Sequence, residues 1–230
     1  MQRGFFLTFE GLDGSGKSTQ LALLAEFLQR FQVPVLTTRQ PGDTALGERI
    51  RTLLLDAKTT GLSPMAEMAM MFADRAQSIE ERIAPALAEG KIVLCDRFTD
   101  STEAYQGGGR GLGREPVLAL HRVLCGNLQP DLTILLLPPL AVSRERTRSR
   151  SGQASSGTTA SHAEFDRFER ERLEFHERVH AAYSAIAARE PERVLCIDGA
   201  PSVAEAELTI RNAVLARLHA RGWAMPANAG

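Results

Sequence analysis

Net charge, long apolar runs and paired cysteines are all scarce in this 230-residue chain. Its formal net charge is −1, from 27 Lys and Arg against 28 Asp and Glu, so no global field draws it to nucleic acid or to a membrane surface. No apolar run approaches the ~18 residues of a spanning helix, so no membrane segment is expected. Residues 5–9 are too short an apolar stretch for a secretory leader. Cys95, Cys125 and Cys196 are widely spaced, with no C-x-x-C among them. That excludes a disulfide framework and predicts reduced, mostly buried thiols in a cytoplasmic protein. There are no internal repeats. The N-K-x-D motif by which GTPases read guanine is missing. His176 and His180 stand four apart on a predicted helix, but no third ligand lies near them, and a solvated helix face is expected there.

Against these absences one segment is rich in meaning. Residues 11–19 read Gly-Leu-Asp-Gly-Ser-Gly-Lys-Ser-Thr and complete the phosphate-loop pattern G-x-x-x-x-G-K-[ST]. An apolar strand precedes it and a strongly helical stretch follows. Strand, glycine-rich turn and helix N-terminus bring backbone N–H groups around a polyphosphate, and the helix dipole favours its negative charge. Gly11, Asp13, Gly14, Ser15, Gly16, Lys17, Ser18 and Thr19 are therefore candidate ATP-binding residues. Lys17 is expected to reach the β- and γ-phosphates, and Ser18 to hold Mg²⁺.

The remainder alternates strand and helix. Near-continuous apolar runs at 5–9, 33–37, 92–95, 132–137 and 194–197 predict strands covered on both faces. Helices are expected at about 17–31, 44–56, 64–88, 100–106, 114–126, 140–150, 164–189 and 202–221, with Pro85 kinking or shortening the third. The expected class is α/β: a P-loop NTPase fold, a five-stranded parallel sheet flanked by helices on both faces, with a flexible lid. Residues 1–222 read as one domain, with a lid at about 144–166 and a disordered tail at 223–230. Within the lid, residues 149–161 are rich in Ser, Gly, Thr and Ala, and they lie between two arginine-dense helices.

Asp96 ends the strand at 92–95 and Arg97 follows it at once. A carboxylate there can organise the Mg²⁺ shell. Arg39, Arg75 and Arg97 fall at strand or helix ends on one rim of the sheet, which favours transfer to an acceptor that itself carries phosphate. Residues 96–106, Asp-Arg-Phe-Thr-Asp-Ser-Thr-Glu-Ala-Tyr-Gln, fit the signature D-R-[FYH]-x-x-S-x-x-A-[YF]-Q and lead into Gly-Gly-Gly-Arg-Gly at 107–111. Phe9-Glu10-Gly11, Thr38-Arg39-Gln40-Pro41-Gly42, Ala73-Asp74-Arg75-Ala76-Gln77, Pro130-Asp131-Leu132-Thr133 and Asp166-Arg167-Phe168-Glu169 occur in the same order. In these motifs, from about residue 5 to 215, the chain resembles the thymidylate kinase family of the nucleoside monophosphate kinase group, in its bacterial type.

The resemblance implies transfer of the γ-phosphoryl of ATP to dTMP, with Mg²⁺, giving dTDP and ADP in dTTP biosynthesis. It implies ATP and dTMP as ligands and a homodimer, for which residues 65–72 and the helix at 114–126 are candidate contacts. Carried over by motif, Arg39 and Arg97 clamp the acceptor's 5′-phosphate and Glu10 contacts the sugar 3′-hydroxyl. Arg75 donates to thymine O4, Gln106 and Ser101 read the ring's other polar edge, and Tyr105 crowds the 2′ position. Pro41 follows a bond that the family tends to hold cis. Lys17, Arg97, Arg144, Arg148 and Glu10 are the catalytic candidates, and Ser18 and Asp96 the metal-site candidates, Asp96 through water.

Two departures leave alternatives open. Position 71 is Met where the family has a stacking Phe, so either Met71 or the adjacent Phe72 faces the base. No basic residue occupies Leu12, Asp13, Gly14 or Ser15, so the catalytic cation comes from elsewhere; the resemblance implies Arg144, Arg146 and Arg148, which match the lid arginines of the bacterial type, with Arg150 an extra. Arg144 and Arg148 share a helix face while Arg146 points away, and Arg148 is the first choice. A deoxynucleoside kinase or another nucleoside monophosphate kinase on the same scaffold, and a catalytically idle nucleotide-binding regulator, are the competing readings.

Overall fold

β1 (Phe5–Glu10) is buried along its whole length, because it lies at the centre of a five-stranded sheet of order β2-β3-β1-β4-β5. The other strands are β2 (Val35–Arg39), β3 (Ile92–Asp96), β4 (Leu132–Leu137) and β5 (Val194–Asp198), and every neighbouring pair is parallel. The computed structural model describes residues 3–154, of which 150–154 as backbone alone, and 167–223.

The period-2 alternation of β1 divides the core into two layers. Phe5, Leu7 and Phe9 pack with α1 (Lys17–Arg30) and α9 (Val203–Ala220), while Phe6 turns to the opposite layer with Ile83 and Phe98. Thr8, whose polar side chain would otherwise be stranded, shares a 2.8 Å hydrogen bond with Thr133 on β4. Ser202 caps α9 in a capping box with Glu205, which satisfies donors of the first turn.

The remaining helices carry candidate site residues outside the phosphate loop. α2 (Ala45–Leu55) is capped by Thr44, and α3 (Pro64–Ser78) by Ser63 with Pro64 just inside it. After β3 come α5 (Thr99–Thr102) and a π-helical stretch Glu103–Gly109, then α6 (Arg114–Leu124). α7 (Leu140–Ala154) follows β4, and α8 (Leu173–Arg189) precedes β5.

Several boundaries differ from expectation. The third helix covers the expected span to Ala88 but is interrupted ahead of Pro85. A π-helical turn at Ile79–Ile83 absorbs it, with the Ala84 N–H donating to the Ile79 carbonyl five residues back, and α4 (Ala84–Ala88) continues. The expected helix 100–106 runs on through three glycines. They are tolerated because α8 lies against them: a Cβ at Gly108 would stand 2.7 Å from the Ala182 Cβ, and one at Gly109 2.5 Å from the Phe175 ring. α7 extends to Ala154, so the first part of the Ser- and Gly-rich stretch is helical, whereas α8 begins only at Leu173. Of the lid expected at about 144–166, residues 155–166 lie outside the described residues, as does the expected tail from 224 on. Trp223, assigned to the tail, rests against the core beside α9 instead.

Candidate active site

The phosphate loop closes between β1 and α1 because glycine is required at its tightest points. Gly11 and Gly14 have φ of 135° and 79°, and a Cβ on either would come within 2.2 Å of a carbonyl oxygen, that of Leu136 or of Ser143. α1 starts at Lys17, so its first N–H groups open onto the loop. Lys17 Nζ donates to the carbonyls of Gly11 (3.0 Å) and Leu12 (2.8 Å). Burial, and then the charge of Arg97, lower its pKa to about 8. A cleft of about 740 Å³ runs beside the loop, lined by Gly14, Ser15, Gly16, Thr19, Arg146 and the segment leading into α9.

At the ends of β1 and β3 two acidic residues do different work. Ser18 Oγ donates to Asp96 Oδ2 at 3.1 Å, and Asp96 Oδ1 is buried without a partner among the described residues. Hard oxygen donors beside a phosphate loop, one of them orphaned, fit a divalent cation. Glu10 is fully buried, and burial, with the charge of Asp100, raises its pKa to about 6. Oε1 accepts from the Phe98 N–H (2.7 Å), and Oε2 from Ser101 Oγ (2.5 Å) and Tyr183 Oη (3.1 Å). Glu10 thus braces the turn after β3.

That turn holds Arg97 at φ 69°, a left-handed conformation that costs a residue with a side chain about 1–3 kcal/mol. Its N–H donates to the Phe9 carbonyl at 2.9 Å. Its guanidinium reaches Asp13 Oδ1 (2.7 Å) and Ser101 Oγ (3.1 Å), and lies 5.0 Å from the centre of the Tyr105 ring. The backbone strain is held by these bonds and aims a cation into the adjoining cavity.

That cavity, about 90 Å³, collects most of the acceptor-side candidates: Pro41, Met71, Arg75, Arg97, Ser101, Tyr105 and Gln106 all line it. The Gln40–Pro41 bond is cis. Arg75 is 2% exposed and clamped on three sides. Nε donates to Gln40 Oε1 (2.7 Å), and Nη2 to the Phe98 carbonyl (3.0 Å) and Thr102 Oγ1 (2.9 Å). Nη1 and Gln40 Nε2 are buried donors without partners among the described residues.

Three candidates sit elsewhere. Phe72 is fully buried with Met68, Val117 and Cys125 beneath Arg75, whose guanidinium lies 4.9 Å from its ring centre. Met71 therefore faces the cavity, because successive helical residues cannot share a face. Glu10 lies behind Arg97 with both oxygens engaged, and the carboxylate that lines the cavity is Asp13. Arg39 turns outward to Glu48 Oε1 at 2.8 Å and does not line the cavity; Arg51, bonded to the Pro41 carbonyl at 2.8 Å, does. Sequence reasoning missed Arg51 because nothing local separates it from Arg49 on the same helix. It also passed over Phe168, which was quoted only as motif yet lines the cavity.

Arg144 and Arg148 line a third cleft, of about 330 Å³, together with Asp13, while Arg146 belongs to the cleft beside the phosphate loop. The split follows the helical spacing. The side chain of Arg150 lies outside the described residues.

Comparison with known proteins places these features in context. A family model described as thymidylate kinase matches residues 9–210. The chain is 48% identical over 202 residues to a thymidylate kinase of Pelobacter propionicus, covering 88% of this chain and 90% of that protein. It is 48% identical over 218 residues to one of Desulfovibrio desulfuricans, covering 94% and 98%. The crystal structure of thymidylate kinase from Ehrlichia chaffeensis superposes with a TM-score of 0.71 at 31% identity, covering 93% of this chain and 99% of that one.

Proposed function

The chain belongs to the thymidylate kinase family, and from that premise we propose that it transfers the γ-phosphoryl group of ATP to dTMP, yielding dTDP and ADP. The observation that carries this reading is the cavity beside the phosphate loop. It pairs cations for an acceptor phosphate, Arg51 and Arg97, with buried donors, Arg75 Nη1 and Gln40 Nε2, suited to a carbonyl on a base.

A 5′-phosphate oxygen of dTMP attacks the γ-phosphorus as the bond to the β–γ bridging oxygen breaks. Catalysis of this step is positioning and charge neutralisation. Arg97 and Arg51 hold the acceptor phosphate, planar forks suiting phosphate better than an ammonium does. Met71 and Phe168 supply apolar walls for the base, and Arg75 donates to its O4. Asp13 takes the sugar hydroxyl, in place of the buried Glu10. Tyr105, pinned among Phe168, Phe175 and Tyr183, crowds the 2′ position. Ser18 and Asp96 would hold Mg²⁺, which would supply charge neutralisation at the phosphates. Lys17 contacts the β- and γ-phosphates, and Arg148, with Arg144 on the same cleft, brings positive charge to the transferring group.

We further read the protein as a cytoplasmic homodimer. Its thiols are unpaired, and among the described residues no helix is long and apolar enough to cross a membrane. Leu53 on α2, Met65 on α3 and Val123 on α6 are exposed apolar side chains, and α2 and α6 both adjoin α3, which supports a subunit contact there. The domain reading, with a lid at about 144–166, remains part of this proposal.

ADP release coupled to ATP, Mg²⁺ and dTMP tests the function, with thymidine, AMP and no acceptor as controls. Turnover that requires dTMP is expected; equal turnover without acceptor overturns the reading.

A further inference from the structure

A buried carboxylate dictates which end of an amide faces the acceptor cavity. Gln106 lines the cavity and is 1% exposed, and its Nε2 donates to Glu67 Oε1 at 2.8 Å. Glu67, on α3, is itself fully buried. Arg110 Nε bonds both of its oxygens (3.1 and 3.2 Å), Arg110 Nη2 bonds Oε2 at 3.0 Å, and Arg167 Nη2 bonds Oε2 at 2.5 Å. Burial pushes the Glu67 carboxyl up, but the hydrogen bonds from Arg110 and Gln106 and the two arginine charges outweigh it and hold it below the usual range. An ionised carboxylate only accepts hydrogen bonds. The Gln106 carboxamide can therefore turn only its NH₂ towards Glu67, and its carbonyl oxygen points away. On the same cavity Arg75 offers Nη1, a buried donor whose guanidinium is locked by Gln40, Phe98 and Thr102.

We propose that Glu67 is a positioning residue for base selection: by accepting from Gln106 Nε2 it presents the Gln106 carbonyl beside the Arg75 donor, an arrangement matched to a C4 carbonyl next to an N3–H. This rests on the cavity being the acceptor-nucleotide site. Cytosine reverses both groups, setting an amino group against Arg75 and a bare ring nitrogen against the Gln106 oxygen. Uracil keeps the thymine arrangement. Because Glu67 also ties Arg110 and Arg167 together, the competing explanation is a purely structural role.

The test compares kcat/KM for dTMP, dUMP and dCMP in the wild type, Glu67→Gln and Glu67→Asp. Glutamine can offer its own NH₂, so Gln106 is free to turn over. The dTMP:dCMP ratio is expected to fall by about tenfold or more, while dTMP:dUMP stays unchanged. Glu67→Asp keeps the charge on the arginines but withdraws from Nε2, and a smaller fall in the same ratio is expected; it decides the matter if Glu67→Gln does not fold. Gln106→Met should lower dTMP:dCMP as much as Glu67→Gln, and the double variant no further. An unchanged dTMP:dCMP ratio in the folded Glu67 variants, or an equal loss on all three substrates, overturns the role of Glu67 and leaves the function standing. A wild type without dTMP-dependent turnover overturns the function, and this proposal with it.

Discussion

The acceptor cavity and the arginine helix α7 place positive charge in opposite ways. In the cavity, Arg75 and Arg97 are tied to named partners before any ligand arrives: Gln40, Phe98 and Thr102 for one, Asp13 and Ser101 for the other. On α7, Arg146 and Arg148 are exposed and Arg144 is half-buried. A cation fixed in a dry site discriminates between ligands, because its donors cannot follow a ligand that fails to match them. A solvated cation acts strongly only once water is removed around it. On the proposed function, selection of the acceptor falls to the buried side and stabilisation of the transferring phosphoryl to the open side.

The comparison is broken most severely at Arg97. Arg97→Ala removes the proposed phosphate clamp and its ion pair with Asp13, and kcat/KM for dTMP is expected to fall by about a thousandfold. Steady-state coupled assays read this directly; a loss below tenfold would show that the fixed cation is dispensable. On the open side, Arg148→Ala is expected to lower kcat by about a hundredfold or more with dTMP binding intact. Calorimetric titration of dTMP separates the two effects, and survival of kcat would shift the role to Arg144, its neighbour on the same cleft. A third pair sharpens the boundary between the regions. Arg51→Ala should raise KM for dTMP by about tenfold, whereas Arg39→Ala, which breaks only an exposed pair with Glu48 worth about 0–1 kcal/mol, should leave it nearly unchanged. Reversal of that order would return Arg39 to the phosphate.

The smallest effect concerns stability. Asp74 lies behind the cavity and accepts from the Gly42 N–H at 2.9 Å, and burial raises its pKa from 3.8 to about 6. A carboxyl raised in the folded state binds its proton more tightly there. Its contribution to stability is full below pH 3.8 and is lost as pH rises through about 6. Between pH 5 and pH 7.5 the wild type should therefore lose more stability than Asp74→Asn, by about 1–2 kcal/mol. Denaturant titrations at the two pH values check this; parallel losses would remove Asp74 as the cause.

Much of this molecule was legible in residue order, for reasons that are local. The phosphate loop, the five parallel strands and the i, i+4 partition of Arg144 and Arg148 from Arg146 follow from glycine conformational freedom, from apolar runs and from helical periodicity, although only the inner strands β1, β3 and β4 are covered on both faces and the edge strands β2 and β5 stay partly exposed. The approach of Arg75, Tyr105 and Gln106 to one cavity was legible as a motif. What residue order could not assign was direction. Met71 and Phe72 are adjacent, and only the packing of α3 on α6 turned Phe72 into the core and Met71 to the cavity. Glu10 and Asp13 are three residues apart on either side of a tight turn. The position of α8, which brings Tyr183 onto Glu10, buried one and left the other facing the cavity. Arg39 and Arg51 compete for one role, and Glu48 on α2 draws Arg39 away. Chemistry and periodicity are properties of short stretches of chain and can be read there. The facing of a side chain depends on which distant element packs against its own, and that is settled only when burial and hydrogen bonding across the whole fold are satisfied together.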